Sequence, residues 1–140
     1  MNIINIFLKK IKHDFGNIVR SFYNFYLKSY GVKIGNNSMI SIGAKIDVRR
    51  GSIIIGSNCL ITHGCVILSH DHTADILKKD KSEFLTVIND NVFIGVNSIV
   101  LPGVTIGKNS IIGAGSVVSS DIPEFSVACG NPAKVIRSIT

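Results

Sequence analysis

The sequence predicts an all-β fold in which short strands wind into stacked triangular coils, preceded by a helical segment. The main observation is an aliphatic residue that recurs at every sixth position. Three runs show it: Ile34–Ile40–Ile46, Ile55–Ile61–Ile67 and Ile88–Ile94–Val100–Ile106–Ile112–Val118. Neither the helical period of 3.6 nor the strand period of 2 produces this spacing. Three short strands per coil would instead stack the aliphatic side chains into one continuous column.

A second set of residues supports this interpretation. Small or modest side chains follow most of the aliphatic residues by four positions, at Ser38, Ala44, Cys59, Cys65, Val92, Ser98, Val104, Ser110 and Ser116. The turns read "IGNNS", "IGSNC", "IGVNS" and "IGKNS", and Gly and Asn tolerate the positive φ that tight corners need. Such a prism cannot close its own ends, so the terminal segments should act as caps.

Two steps break the six-residue period, and each exceeds a multiple of six by three residues. From Ile46 to Ile55 the step is nine and contains "DVRRGS", with Arg49 and Arg50. From Ile67 to Ile88 the step is 21 and contains "SHDHT" followed by a charged run. Long loops in compact domains are usually functional, so we expect an excursion loop at about 71–87.

Length and composition limit the classes of protein. With 140 residues, 46% hydrophobic and 17% charged, the chain predicts one ordered domain, with a cap over residues 1–30 and the repeats over 31–140. The repeat region has no basic stripe with interleaved aromatics, which argues against nucleic-acid binding. Three cysteines in ordinary spacing favour a reducing, cytoplasmic setting and core thiols at Cys59 and Cys65. No apolar run is long enough to span a bilayer.

The first thirty residues predict an amphipathic helix. Steps of four and three connect an apolar series, with a break expected at Gly16–Asn17: Ile4, Leu8, Ile11, Phe15, Ile18, Phe22 and Phe25. Five lysines or arginines accompany one aspartate in residues 1–30. A cap on the open end of the coils or on a neighbouring subunit is one interpretation. Contact with an anionic membrane, at the inner face of the cell membrane, is the other.

The stretch "NDNVFIGVNSIVLPGVTIGKNSIIGAGSVVSSDIPEFSVACGNPAKVIRS" resembles the hexapeptide-repeat acyltransferases, and the resemblance covers roughly residues 31–137. It is similar to the C-terminal half of galactoside, maltose and polysaccharide O-acetyltransferases. The resemblance implies a left-handed parallel β-helix, a homotrimer, acetyl-CoA as the acyl donor and no metal. It also implies O-acetylation of a sugar hydroxyl in surface polysaccharide biosynthesis, such as O-antigen or capsule.

The resemblance places the catalytic base at His70, which follows a strand and precedes the predicted loop. Imidazole suits this role because its ordinary pKa lies near neutrality. His72 is an auxiliary candidate, and Asp71 either orients an imidazole or forms a turn. His63 falls at a regular corner and suggests a contact between subunits. Asp47 matches part of an Asp-His feature of serine acetyltransferases, but the histidine of that feature is missing, which argues against serine as the acceptor.

The resemblance also implies positions that contact the donor in a groove between subunits. They are Gly95, Val96, Ala114, Ser119, Ser120, Lys134 and Arg137. Backbone amides and hydroxyls would line the pantetheine arm, and the two cations would meet nucleotide phosphates. Two departures from the family pattern are Phe93, where the family commonly has Trp, and the Ser119–Ser120 pair, where it has Thr-Lys or Ser-Lys. Arg49 and Arg50 either meet an anionic sugar or form an exposed basic corner.

Three alternatives stay open at this stage. One is N-acetylation of a nucleotide-linked amino sugar, which differs from O-acetylation only in the acceptor. Another is a non-catalytic β-helix scaffold, against which the histidine and the "GNPAKVIR" tail argue. The third is a zinc enzyme that uses His63, His70 and His72. That site would need a further downstream histidine, which the chain lacks.

Overall fold

The computed structural model describes residues 3–49, 51–70 and 84–139 as one helix followed by three sheets. Their strands pair in parallel except the last, which runs antiparallel to the strand before it. Helix α1 spans Ile3–Ser29 without a break at Gly16–Asn17, so the expected interruption there was wrong. Both residues have helical neighbours on either side, and tertiary contacts hold the C-terminal half of the helix in place. No helix in the described part of the chain is long and apolar enough to cross a membrane.

The strands wind through three sheets in a fixed rotation, which gives four coils and part of a fifth. The first sheet contains β1 (Lys33–Ile34), β4 (Ser52–Ile55), β7 (Leu85–Ile88) and β10 (Thr105–Ile106). The second contains β2 (Met39–Ile40), β5 (Leu60–Ile61), β8 (Phe93–Ile94), β11 (Ile111–Ile112), β13 (Ser126–Gly130) and β14 (Ala133–Ser138). The third contains β3 (Lys45–Ile46), β6 (Val66–Ile67), β9 (Ile99–Val100) and β12 (Val117–Val118).

The predicted aliphatic column is the core of the structure. All predicted members from Ile40 to Val118 are buried, and most of them are fully inaccessible. The second predicted set, from Ser38 to Ser116, is buried as well. Parallel register explains the column, because each inward residue pairs with its counterpart one coil away, as Ile61 does with Ile94. The six-residue period therefore predicted the core correctly from Ile40 onward, whereas Ile34 in the first strand is only half-buried.

Both Gly and Asn take positive φ at the corners, as expected. The asparagines are Asn37, Asn58, Asn91, Asn97 and Asn109, and the glycines include Gly51, Gly64, Gly103 and Gly115. The glycine that follows the aliphatic residue serves a different need, which Gly95 illustrates. A Cβ added there would lie 2.6 Å from the backbone nitrogen of Ala114, so the glycine is required by the close approach of two coils.

The two irregular steps fall at the same corner of successive coils. One lies between β3 and β4, the other between β6 and β7, so both connect the third sheet to the first. Part of the extra length extends the first sheet, where β4 and β7 pair over four residues. Strand β7 begins at Leu85, which corrects the predicted end of the excursion loop at 87.

Candidate active site

The corner between the third and first sheets brings Asp47 and His70 together. Asp47 directly follows β3, and His70 follows β6 by three residues, one coil further along. Because β3 and β6 pair in register, with Ile46 opposite Ile67, their continuations run side by side. A stiff stack of coils thus fixes the positions of two polar side chains that lie 23 residues apart in sequence.

The two side chains form a short, well-shielded hydrogen bond. His70 Nδ1 lies 2.5 Å from Asp47 Oδ2, and the side chains are 11% and 6% exposed. The same carboxylate oxygen accepts a hydrogen bond from Ser69 Oγ at 3.2 Å. Its other oxygen, Oδ1, accepts two bonds from Arg49, from Nε at 3.1 Å and from the backbone N–H at 3.2 Å. Asp47 is therefore held on both oxygens.

These contacts decide the ionisation state of Asp47. Burial is the largest single influence and raises the pKa of Asp47, but hydrogen bonds from the Arg49 side chain and backbone and from His70 act together in the opposite direction. The net result is a pKa of about 2. The carboxylate is consequently ionised at neutral pH and has no proton to donate. The hydrogen bond between Asp47 and His70 therefore requires the imidazole tautomer that carries its proton on Nδ1. Proton exchange with a reactant then takes place at Nε2.

Asp47 is a candidate functional residue whose position beside His70 the sequence did not reveal. The sequence named Asp71 as a residue that either orients an imidazole or forms a turn, and Asp71 lies outside the described residues together with His72 and Arg50. A signal was available. Both irregular steps follow the third strand of a coil, so the residues that follow Ile46 and Ile67 had to meet at one corner.

The predicted donor-binding residues fall on two different corners and one sheet edge. Ser119 and Ser120 are exposed and follow β12, so they lie on the corner of His70, two coils further along. Val96 and Ala114 are exposed on the corner between the second and third sheets, one coil apart. That corner lies across the third sheet from His70.

Gly95 occupies the same corner as Val96 but is buried. Its N–H donates to the carbonyl of Ile112 at 2.8 Å, and its own carbonyl accepts from Ser98 Oγ at 2.8 Å. These bonds explain Gly95 by the packing of one coil on the next. A contact with the donor through its backbone polar groups stays a prediction.

Strand β14 puts Lys134 and Arg137 on one face. Residues three apart on a regular strand point to opposite faces, but the pairing with β13 shifts register between Val127 and Ala128. Lys134 pairs with Cys129 and Arg137 with Val127, and these two partners lie two residues apart on the outward side of β13. Both cations are exposed there, so one anionic group could meet both.

The structure also gives the positions of His63 and of two cysteines. His63 is an exposed residue of the turn between β5 and β6, with its ring against Gly43, on a different corner from His70. Cys59 and Cys65 are buried core thiols, as predicted. Over residues 3–49, 51–70 and 84–139 no three His, Cys, Asp or Glu side chains gather in a way that could hold a metal ion.

Known proteins share this architecture. The family described as bacterial transferase hexapeptide (six repeats) matches residues 85–120. The galactoside O-acetyltransferase of Escherichia coli K12 is 40% identical over 116 residues, which cover 79% of this chain and 57% of that protein. A maltose O-acetyltransferase from Clostridium difficile 630 superposes with a TM-score of 0.70 at 37% identity, over 79% of this chain and 60% of that one.

A second solved structure is similar to this chain. It is the hexapeptide-repeat acetyltransferase VCA0836 from Vibrio cholerae O1 biovar eltor in complex with acetyl coenzyme A. Its TM-score is 0.66 at 28% identity, over 78% of this chain and 61% of that one.

Stacked three-strand coils built on a six-residue period define a hexapeptide-repeat fold. The chain is similar to hexapeptide-repeat acetyltransferases, among them the galactoside and maltose O-acetyltransferases. It spans about three fifths of the length of these two O-acetyltransferases.

Proposed function

We propose that this protein transfers an acetyl group from acetyl-CoA to a sugar hydroxyl, with His70 as the general base. The observation that carries the proposal is the shielded Asp47–His70 pair, 2.5 Å apart, at the corner where the repeat is interrupted. A buried carboxylate bonded to Nδ1 fixes the tautomer and orientation that a base needs. The names of the galactoside and maltose enzymes supply the class of acceptor.

The chemistry follows from that pair. His70 Nε2 accepts the proton of the acceptor hydroxyl as its oxygen attacks the thioester carbonyl carbon. The carbon–sulfur bond then breaks, and the departing CoA thiolate recovers the proton from the imidazolium. Asp47 does not touch either substrate; it is a positioning residue whose negative charge stabilises the imidazolium formed in between.

The donor is proposed to lie between copies of this chain. Val96 and Ala114 lie one corner away from His70, and six residues of extended chain correspond to roughly 20 Å. One copy therefore cannot offer both corners to the same reacting carbon, whereas a groove between neighbouring copies can. The homotrimer and the left-handed winding implied by the family resemblance belong to this proposal. Ser119, Ser120, Lys134 and Arg137 would complete the groove, the cations at phosphates.

The test is release of free thiol from acetyl-CoA with a panel of sugars, polysaccharide fragments and nucleotide-linked amino sugars. We expect the rate of acceptor-dependent thiol release to fall about 100-fold or more in His70→Ala, which is the usual contribution of a general base to the rate. His13→Ala is the matched control, because His13 lies on the exposed face of α1, 70% accessible and away from the corner. Cleavage of the product by alkaline hydroxylamine distinguishes an ester from an amide.

Three outcomes would count against the proposal. Equal rates in the wild type and His70→Ala would remove His70 from the mechanism. An absence of release with every acceptor, together with no binding of CoA, would favour a non-catalytic scaffold. A hydroxylamine-resistant product would replace the sugar hydroxyl by an amino group as the acceptor.

A further inference from the structure

Helix α1 carries one continuous apolar face that nothing in the described chain covers. Its nine large side chains are 46–72% exposed: Ile4, Phe7, Leu8, Ile11, Phe15, Ile18, Phe22, Phe25 and Tyr26. Steps of three and four residues keep them on one side of the helix over its whole length. Contiguous apolar surface of this extent marks an interaction site in soluble proteins.

A different side of α1 packs on the first coil. Leu27 is buried at 1% exposure against the first coil. Tyr23 Oη donates to the carbonyl of Ala44 at 2.8 Å, and Asn24 Nδ2 donates to that of Ser38 at 3.1 Å. Ile18 lies nine residues before Leu27, which is a rotation of about 180° around the helix. The apolar series therefore faces away from the coils of its own chain, so it is not the side of the helix that packs on their open end.

The charges on α1 indicate what covers the apolar face. Within the helix, one acidic residue, Asp14, accompanies five basic residues: Lys9, Lys10, Lys12, Arg20 and Lys28. The three lysines of the first half are exposed and lie beside or behind the apolar face. Packing of this face against that of a second copy would gather like charges around the contact without acidic partners. An anionic surface would instead neutralise them.

We propose that α1 binds an anionic lipid surface, with its apolar face between the lipid headgroups and with Lys10 and Lys12, which flank that face, at the lipid phosphates. A basic amphipathic helix adopts this orientation parallel to the surface because long lysine side chains reach the headgroups while the apolar side stays buried. The helix is about 40 Å long, so the stack of coils would stand above the surface, attached through Leu27 and its neighbours. This inference does not depend on the proposed acetyl transfer.

The experiment uses the 140-residue chain and vesicle sedimentation. We expect binding to vesicles of phosphatidylcholine mixed with phosphatidylglycerol, weaker binding to phosphatidylcholine alone, and release as salt is raised. The double variant Phe7→Ser/Phe15→Ser should lower the partition coefficient on the order of tenfold or more. Ile6→Ser is the matched control: Ile6 is 50% exposed on the same turn but lies about 140° around the helix from Ile11, off the apolar face.

The outcomes separate the occupants of this face. Unchanged partitioning of the double variant, or equal loss in Ile6→Ser, would overturn the proposal. If no vesicle retains the wild type and light scattering shows that the double variant loses its oligomeric state, the face is a contact between copies and the lipid proposal is wrong. Circular dichroism checks that each variant keeps its fold, and thiol release in free solution reports separately on acetyl transfer.

Discussion

Replacing Asp47 by Asn should lower the free energy of unfolding by about 2 kcal/mol at neutral pH. Folding lowers the pKa of this carboxyl from 3.8 to about 2. Since one pKa unit corresponds to about 1.4 kcal/mol, the difference is worth about 2 kcal/mol when the carboxylate is ionised in both states. The Asp47 side chain is 6% exposed and His70 11%, so solvent screens that contact only weakly. Arg49 is 70% exposed, so solvent screens its contact more strongly and the figure is an upper value.

The pH dependence gives the sign of this effect. The folded-state pKa of Asp47 is depressed, so the stabilisation is fully present above about pH 4 and is lost as the pH falls through about 2. Urea unfolding should therefore show the largest difference between wild type and Asp47→Asn at neutral pH, shrinking between pH 4 and 2. A neutral side chain at position 47 has no such proton to gain.

Asp14→Asn provides the control for this measurement. Asp14 lies on α1 with a side chain 61% exposed, so its replacement should change stability by less than about 0.5 kcal/mol. The reasoning fails if Asp47→Asn is as stable as the wild type at pH 7. It also fails if the difference between the two proteins stays constant from pH 7 to pH 2.

Three further predictions concern the coils and the helix. Ile94→Ala should lower the free energy of unfolding, measured by urea titration, by about 2–5 kcal/mol, since Ile94 is fully buried. The control Ile111→Ala should lower it much less, because the Ile111 side chain points outward and is 37% exposed. Gly95→Ala should lower the melting temperature, because the added Cβ would meet the backbone of Ala114. Gly16→Ala should raise the melting temperature, because alanine favours the helix over glycine by up to about 1 kcal/mol. Burial raises the pKa of the Cys59 thiol, so this cysteine should resist alkylation at neutral pH until the protein unfolds, as mass spectrometry of labelled peptides would show. A stable Ile94→Ala, a Gly95→Ala that melts with the wild type, or rapid native labelling of Cys59 would each contradict the corresponding argument.

The core is the part of the structure that local sequence spacing was sufficient to predict. An inward residue must recur once per strand, so a six-residue period fixes which side chains enter the column from Ile40 to Val118. The same spacing located the interruption at His70 and identified Cys59 and Cys65 as core thiols. Each of these properties depends on residues close together in the chain.

The sequence also carried a signal whose meaning needed the fold. The step from Ile46 to Ile55 showed that one corner was enlarged, but only the parallel register of β3 and β6 puts Asp47 beside His70. The apolar series on α1 was equally clear in the sequence. Its direction depends on Leu27, Tyr23 and Asn24, which attach the opposite side of the helix to the first coil.

By itself, then, the sequence determined the coil, its core residues and the position of the candidate base. Tertiary structure decided which distant residues share a corner, which side of α1 is left uncovered, and that Lys134 and Arg137 lie on one face of β14. The physical reason is the same in each case. Periodicity reports how a side chain points relative to its own strand or helix, whereas contact between residues 23 positions apart, or across a register shift, is set by how whole elements pair.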